Sequence, residues 1–251
     1  MTFSLTPELR SAIEAHAREQ YPNESCGVII NGAYRPCENV APDPLNDFRI
    51  RDTEIQHAFV ANEIQALVHS HPGGPDHPTR SDMEAQLSML VPWVILPLNE
   101  DQFGEPVIWG DDVEIPPVIG REFKHGVTDC YSLIRDVYRL GKDKLAEQGI
   151  PWPFEPIELP EFPRDDAWWS LDQNLYIDNF EKAGFVRIKR EEVQPGDVFM
   201  CKIRSKVENH AGVLIDDGLV LHHLPLRLSR REPSCIWWGA TNLWVRYQPK
   251  S

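Results

Sequence analysis

The sequence lacks any long hydrophobic run. It contains no stretch of about 18 consecutive apolar residues, the length that a membrane-spanning helix needs. Its first residues, Met1-Thr2-Phe3-Ser4, do not begin a signal peptide. We therefore expect a protein that is made in the cytosol, is not secreted by the usual route and has no membrane span.

Cysteines and basic residues are also scarce. Five cysteines, an odd number without regular spacing, do not form a disulfide framework. The 25 Lys and Arg residues are outnumbered by 39 Asp and Glu residues, so the formal charge is −14. Because phosphate contacts require clustered basic side chains, this balance argues against a nucleic-acid partner and leaves peptides, glycans and proteins as candidate substrates. The length of 251 residues allows two modest hydrophobic cores.

The most informative stretch covers residues 69–82, HSHPGGPDHPTRSD. His69 and His71 follow an apolar run with one residue between them, so both side chains leave the same face of a strand end. A turn-rich segment leads to Asp82, in the first turn of a helical pattern. Two histidines and a carboxylate, with a fourth position left to water, are typical of a hydrolytic zinc site. The alternative is a Thr-x-x-Asp capping box beginning at Thr79, which would occupy Asp82 without a metal.

The order His-x-His-Pro, nine further residues and Asp, with Thr three before the Asp, resembles the metalloprotease signature of the JAMM (MPN+) family. This resemblance implies that His69, His71 and Asp82 bind Zn²⁺. It also implies a general-base glutamate near the first helix-to-strand junction, where this chain has Glu24; the alternative is a solvated loop carboxylate. Thr79 replaces the commoner Ser and would donate a hydrogen bond on the oxyanion side.

The hydrophobic spacing predicts an α/β (α+β) protein of two domains. A proline-containing break at 111–120 divides the chain into a first domain at 1–112, a linker at 113–120 and a second domain at 121–251. For the first domain, the resemblance implies a JAMM/MPN+ fold with a mixed sheet and flanking helices. Cys26 is expected to be a small buried thiol, with a role near the metal as the alternative. The spacing predicts for the first domain a helix from Pro7 to before Pro22, strands at 27–30 and 33–36, a helix at 52–61, a strand ending at His69, a helix with Asp82 in its first turn, and strands at 93–97 and 107–110. The resemblance implies a connecting loop and strand over 39–50, before the metal motif.

In the second half, helical spacing places Cys130 in the first turn of a helix capped by Thr128 or Asp129. Cys130 is either a core cysteine or a nucleophile whose thiolate is stabilised by the helix N-terminus and an imidazolium. The segments 209–215 and 219–224 form a hairpin pattern that carries three histidines.

The length of the hairpin turn decides which histidines share a face. A two-residue turn at Asp217-Gly218 brings His223 to the face of His210, whereas a three-residue turn brings His222 there. The pattern alone leaves both alternatives open.

Asp129-Cys130, the turn and strand at 195–199, and His210 followed twelve residues later by His222 resemble the NlpC/P60 cysteine peptidases, which have a papain-like fold. The resemblance implies that Cys130 is the nucleophile, that His210 is the general base and then the acid, and that His222 orients the imidazole. Tyr131-Ser132 stands where the family commonly has a small hydroxyl residue and Gly, and this bulk would narrow the cleft.

The sequence also predicts the structure of three other segments of the second domain. Residues 151–169, rich in proline, acids and aromatics, are expected to pack across the domain rather than form a substrate rim. Residues 170–183 are predicted to be helical. Trp237-Trp238 and 243–245 are predicted to lie in the core and edge of the last strands.

A JAMM domain followed by an NlpC/P60 domain resembles the tail assembly proteins of lambda-like bacteriophages. This resemblance implies a zinc-dependent (iso)peptidase and a Cys-His peptidase that act on peptidoglycan stem peptides or a tail protein. The implied partners are phage tail tip proteins, with one bearing a ubiquitin-like region as a candidate. The implied locations are the host cytoplasm during assembly and the virion tail tip. The alternative is a structural assembly factor whose hydrolase sites are dispensable.

Overall fold

The computed structural model describes residues 2–171, 173–216 and 218–248. The chain divides into two compact units, 1–114 and 115–251. Each unit combines helices with one sheet, of five strands in the first and six in the second, which confirms the predicted α/β class. Among the described residues, no helix is long and apolar enough to cross a membrane.

The first unit is built around a mixed sheet in the order β2-β1-β3-β4-β5, in which β3 and β4 are parallel and the other pairs antiparallel. Its first helix is capped by Thr6 and buries Leu9, Ile13 and Ala17 against the sheet, as their spacing on one helical face requires. The elements are α1 (Pro7–Gln20), β1 (Cys26–Ile30), β2 (Ala33–Cys37), α2 (Asp52–Val60), β3 (Ile64–Pro72), α3 (Arg80–Met89), β4 (Pro92–Leu98) and β5 (Val107–Gly110).

The strand predicted within 39–50 is wrong, because the described residues there form turns and irregular structure. The side chain of Asn39 organises this loop. Its amide donates to the carbonyls of Glu24 and Asp47, and its oxygen accepts from the backbone N–H groups of Ala41 and Arg49. These bonds use backbone groups that a strand would pair with a neighbour.

The second unit is built around an antiparallel sheet in the order β10-β9-β8-β7-β11-β6. The elements are α4 (Cys130–Glu147), α5 (Leu175–Asn179), β6 (Phe185–Ile188), β7 (Val198–Cys201), β8 (His210–Leu214), β9 (Leu219–His222), β10 (Arg230–Pro233), α6 (Ser234–Trp238) and β11 (Thr241–Tyr247). Helix α4 kinks at Gly141, where φ is 67°. A Cβ at Gly141 would lie 2.5 Å from the nitrogen of Pro156, so only glycine allows this close approach.

Segment 151–169 packs across the second unit, since Trp152, Leu159 and Trp168 are all buried. The helix predicted over 170–183 is wrong for most of its length, because only Leu175–Asn179 is α-helical and a short 3₁₀ turn covers Trp168–Ser170. The ring of Trp168 packs against the rings of Trp169 and Tyr176. Asn174, with φ −129° and ψ 65°, is not helical, so the helix begins only at Leu175. Asp172, within the predicted helix, lies outside the described residues.

The last tryptophan pair is also different from the prediction. Trp237 and Trp238 lie in helix α6 and not in a strand, whereas residues 243–245 lie in β11 as expected. The short helix places the Trp237 ring against Phe199, His210 and His222, with ring centroids 5.4, 5.2 and 4.5 Å away. Burial of this ring against the sheet therefore outweighs the strand preference of the local sequence.

Candidate active sites

Two antiparallel strands, β1 and β3, position the side chains of the first candidate site. His69 and His71 lie on β3, and Cys26 of β1 is directly opposite His69. The backbone N–H of Ser70 donates to the carbonyl of Ser25 at 3.0 Å, so the ladder continues past the end of β1. Residue 24 is then opposite residue 71, and Glu24 shares a sheet face with both histidines. The strand predicted to end at His69 extends to Pro72 and carries both rings.

Three donor atoms converge at this face. His69 Nε2 lies 3.0 Å from His71 Nε2 and 3.3 Å from Asp82 Oδ1, and His71 Nε2 lies 3.5 Å from Asp82 Oδ2. Ligand distances of about 2.0–2.1 Å put neighbouring donors about 3.3–3.4 Å apart around a tetrahedral ion. His71 Nδ1 lies 2.8 Å from the Pro75 carbonyl, so it carries the proton and leaves the Nε2 lone pair free for a metal. The residues therefore fit a metal ion.

The capping box is also present. The Asp82 N–H donates to Thr79 Oγ1 at 3.2 Å, and Asp82 Oδ2 accepts from the Thr79 N–H and hydroxyl, both at 2.7 Å. Capping engages Oδ2 while Oδ1 faces His69, so one carboxylate serves both arrangements. The hydroxyl proton of Thr79 is directed to Asp82, so donation to an oxyanion would require it to turn away.

Burial and nearby charges shift the pKa values at this site. Glu24 is 6% exposed, and burial raises its pKa to about 8, although His71 opposes the shift. Burial lowers the pKa of His69, whereas Asp82 more than offsets burial at His71 and raises its pKa. Both histidines hold the pKa of Asp82 well below its usual range despite burial. A carboxyl group with the raised pKa of Glu24 is suited to proton transfer near neutral pH.

Two aromatic rings pack against His69, and the sequence analysis did not identify either of them. Phe48 stacks on its imidazole at 4.5 Å between centroids, and Trp93 meets it edge-on at 5.6 Å. Cys26 is fully buried, its Sγ lies 3.8 Å from the carbonyl of Cys37, and burial raises its pKa to about 12. Among the described residues, the group of possible metal ligands consists of the two histidines and Asp82, without Cys26.

A buried ion pair holds the start of α4 in the second candidate site. Asp129 caps the helix by accepting from the Ser132 N–H at 2.9 Å, whereas the Thr128 hydroxyl donates to the carbonyl of Glu122. Arg164, 1% exposed, donates to Asp129 Oδ2 through Nε at 3.0 Å and Nη2 at 2.8 Å. The pair fixes the helix end that carries Cys130.

Cys130 packs against β8. Its Sγ accepts a hydrogen bond from Tyr176 Oη at 3.0 Å, and the backbone N–H of Ala211, the residue after His210, lowers the pKa of the thiol against the effect of burial. Burial, followed by the charge of Asp129, raises the pKa of Cys130 to about 11. The nucleophile candidate therefore lies beside the strand position of the histidine candidate, and it needs a base to form a thiolate near neutral pH.

The pairing of β8 with β9 matches the three-residue turn. Gly212 is opposite His222 and Leu214 opposite Val220, which brings His222 to the face of His210. His210 Nε2 lies 3.2 Å from His222 Nδ1. Asp217, part of the expected turn, lies outside the described residues. His223 instead lies 3.0 Å from the carbonyl of Arg227 through its Nε2.

A carboxylate that sequence reasoning missed completes this group. His222 Nε2 lies 3.0 Å from Glu232 Oε2, and Trp237 Nε1 donates to the same oxygen at 2.9 Å. Tyr176 and Arg164 were also missed. No motif links these residues to Cys130 or to the histidines, because they are brought together by strand pairing and by the packing of 151–169.

Comparisons with known proteins agree with this division. Residues 6–107 match the family of prokaryotic homologs of the JAB domain, and residues 120–246 match the NlpC/P60 family. The tail tip assembly protein K of Escherichia phage lambda is 40% identical over 175 residues, which cover 70% of this chain and 77% of that protein. The protein of the same name from Escherichia phage N15 is 30% identical over 244 residues, 94% of this chain and 93% of that protein.

Among solved structures, an NlpC/P60 family protein from Bacillus cereus ATCC 10987 is similar with a TM-score of 0.32 and 13% identity, over 94% of this chain and 67% of that one. The family assignment rests on the two phage relatives and the two family matches. In the order in which they match, a JAB domain comes first and an NlpC/P60 domain second. The chain therefore belongs to the family of phage tail tip assembly protein K.

Proposed function

We propose that this protein acts in phage tail tip assembly as a peptidase with two sites. The observation that carries the proposal is the convergence of His69, His71 and Asp82, whose candidate ligand atoms all lie within 4.8 Å of one another, on the sheet face that Glu24 shares. We propose domain limits of 1–112 and 121–251 around a linker. The two compact units and the family matches support these limits.

At the first site, His69, His71 and Asp82 would hold Zn²⁺, since two imidazoles and a carboxylate are the usual ligands of hydrolytic zinc. Zinc, when bound, supplies Lewis-acid chemistry that activates water near neutral pH. Glu24 would take a proton from the attacking water and pass it to the leaving amine. Thr79 would donate to the substrate oxygen only after its proton leaves Asp82; in the described arrangement it orients that carboxylate.

At the second site, Cys130 would attack the peptide carbonyl carbon after its thiol proton passes to His210. His210 would then return that proton to the leaving amine, and water would release the acyl group from the sulfur. His222 would orient His210 through the 3.2 Å contact. Tyr176 supports this assignment because its hydroxyl reaches the reacting sulfur.

The two family matches suggest the substrates that we propose. We propose that the zinc site cleaves a tail tip protein, with a partner bearing a ubiquitin-like region as the first candidate. The thiol site would cleave peptidoglycan stem peptides or a tail protein. The protein would act in the host cytoplasm during assembly and could remain at the virion tail tip.

Metal analysis of the purified chain tests the first site. One zinc ion per chain is expected, with the same content in His77→Ala, a matched control in the same loop, and loss in His71→Ala. Equal zinc in His71→Ala would contradict the ligand assignment. Incubation with muropeptides and tail proteins then separates the sites, because Cys130→Ala should abolish only the thiol-dependent cleavage. Normal tail assembly by both Glu24→Gln and Cys130→Ala would favour the structural assembly factor.

A further inference from the structure

A line of hydrogen-bonding groups leads from His210 across the sheet. His210 Nε2 meets His222 Nδ1 at 3.2 Å, and His222 Nε2 meets Glu232 Oε2 at 3.0 Å. The two histidines are buried, with 2% and 1% exposed, and Glu232 is partly buried. Three strands supply one member each, because β8, β9 and β10 are neighbours in the sheet. The contacts therefore form a fixed series rather than a chance surface cluster.

The protons in this series have one consistent arrangement at neutral pH. An ionised carboxylate can only accept, so His222 Nε2 must carry a proton. Neutral His222 then presents a lone pair at Nδ1, and His210 Nε2 must donate to it. The remaining nitrogen of His210, Nδ1, is left with a lone pair. This is the form in which His210 can accept the proton of a thiol.

The surroundings favour these charge states. Burial lowers the pKa of His222 and lowers that of His210 well below its usual value, so both rings are neutral at neutral pH. Trp237 and His222 hold the pKa of Glu232 below its usual value despite partial burial. The charged and titratable groups around His222 are Glu232, Arg230 and His223, together with His210 at its Nδ1. Arg230 pairs with the other oxygen of Glu232, which keeps the carboxylate ionised.

We propose that Glu232 is a positioning residue that acts through His222 to hold the proton of His210 on Nε2 and its lone pair on Nδ1. This inference rests on the proposed peptidase role of Cys130 and His210. It extends the Cys-His-His arrangement by a fourth member that touches neither the sulfur nor the substrate.

Histidine NMR on the full-length chain labelled with ¹⁵N-histidine tests the proposal, because the ring nitrogen shifts distinguish the two tautomers. Wild type should show His210 and His222 protonated at Nε2. Glu232→Met, which removes the acceptor, should shift both rings towards a mixture, and Glu232→Gln, which keeps an acceptor oxygen, should retain the wild-type signals. Trp237→Phe is the matched control, because it removes the other hydrogen bond to the same oxygen and should leave the tautomers unchanged.

Alkylation of Cys130 by iodoacetamide, followed by peptide mass spectrometry across pH, gives a second readout. Glu232→Met should react about tenfold more slowly at pH 7, the change that a shift of one unit in the thiol pKa produces. A wild-type His210 protonated at Nδ1, or tautomers that persist in a folded Glu232→Met, would overturn the inference. So would an equal tautomer change in Trp237→Phe, because Glu232 would then act only by holding that ring.

Failure of the peptidase proposal is distinguishable from failure of this one. If wild type cleaves no peptide but the tautomers depend on Glu232, the positioning role stands and the substrate assignment fails. If peptides are cleaved and the tautomers do not depend on Glu232, the positioning role fails alone.

Discussion

Replacement of Arg164 by Met tests the buried ion pair that fixes the start of α4. The guanidinium makes two hydrogen bonds to Asp129 and one each to Glu161 at 2.6 Å, the Phe162 carbonyl at 2.9 Å and the Ser132 hydroxyl at 3.1 Å. Methionine fills much of the same volume but has no group that can donate a hydrogen bond to these partners. Because Asp129 is only 4% exposed, its carboxylate would be left buried without its guanidinium.

The expected cost follows from this environment. Breaking a buried pair by removal of one partner destabilises a protein by about 3–5 kcal/mol. In Arg164→Met, the buried Asp129 carboxylate would keep only the N–H groups of Ser132 and Gly126 and His125, whose Nδ1 lies 3.8 Å away. For a unit of this size, that loss lowers the melting temperature by about 10–15 °C. An exposed pair would lose only about 1 kcal/mol or less.

Urea unfolding followed by tryptophan fluorescence measures the effect, because six of the eight tryptophans lie in the second unit. Arg227→Met is the control, since it makes the same chemical change at an exposed side chain of the same unit. A loss for Arg164→Met no larger than that of Arg227→Met would refute the reasoning. It would mean that solvent reaches Asp129 and that the pair contributes no more than a surface contact.

Three further changes have definite expected outcomes. Arg164 holds the pKa of Asp129 well below its usual range. The stability that this ion pair contributes is therefore complete above the unfolded pKa of about 3.9 and is lost as pH falls through the lower folded pKa. Urea midpoints should fall below about pH 4 in wild type and change less in Arg164→Met. Gly212→Ala should cost about 1–3 kcal/mol in the same assay, because its Cβ would lie 2.6 Å from the Leu221 carbonyl and 2.7 Å from the Cβ of His222. Thr79→Ala should lose about 1 kcal/mol in thermal unfolding followed by circular dichroism, and Thr79→Ser should restore it; an unchanged Thr79→Ala would mean that the cap contributes nothing.

The arrangement of the first site could be predicted because its parts are local. Strand alternation puts His69 and His71 on one face, and the capping pattern puts Asp82 in the first turn of the next helix. Glu24 is more distant in sequence, but the adjacent antiparallel strand brings it opposite His71. The role of each residue stays a prediction until metal content and cleavage are measured.

The second site depends on contacts between residues that are distant in the sequence, and local patterns do not predict such contacts. The hairpin pattern alone restricted the partner of His210 to two histidines. The family resemblance implied His222, and the strand pairing brings His222 to the face of His210. Arg and Glu usually lie on the surface, so the sequence does not mark Arg164 or Glu232 as part of a site. Tertiary packing buries Arg164 and brings Glu232 to His222. The helix expected at 170–183 forms only over Leu175–Asn179, because the backbone angles of Asn174 are not helical.

The two sites also differ in how much chain must exist before each can form. The metal ligand candidates span 69–82, so a short loop closure assembles them once β3 and α3 are in place. The second group needs Cys130 and Glu232, which are separated by most of the second unit. During synthesis from the N-terminus, the first cluster can therefore assemble while the ribosome is still translating the second half. A product terminated between β5 and β10 would retain His69, His71 and Asp82 and would lack Glu232, so the group of the second site is completed late in the synthesis of each chain.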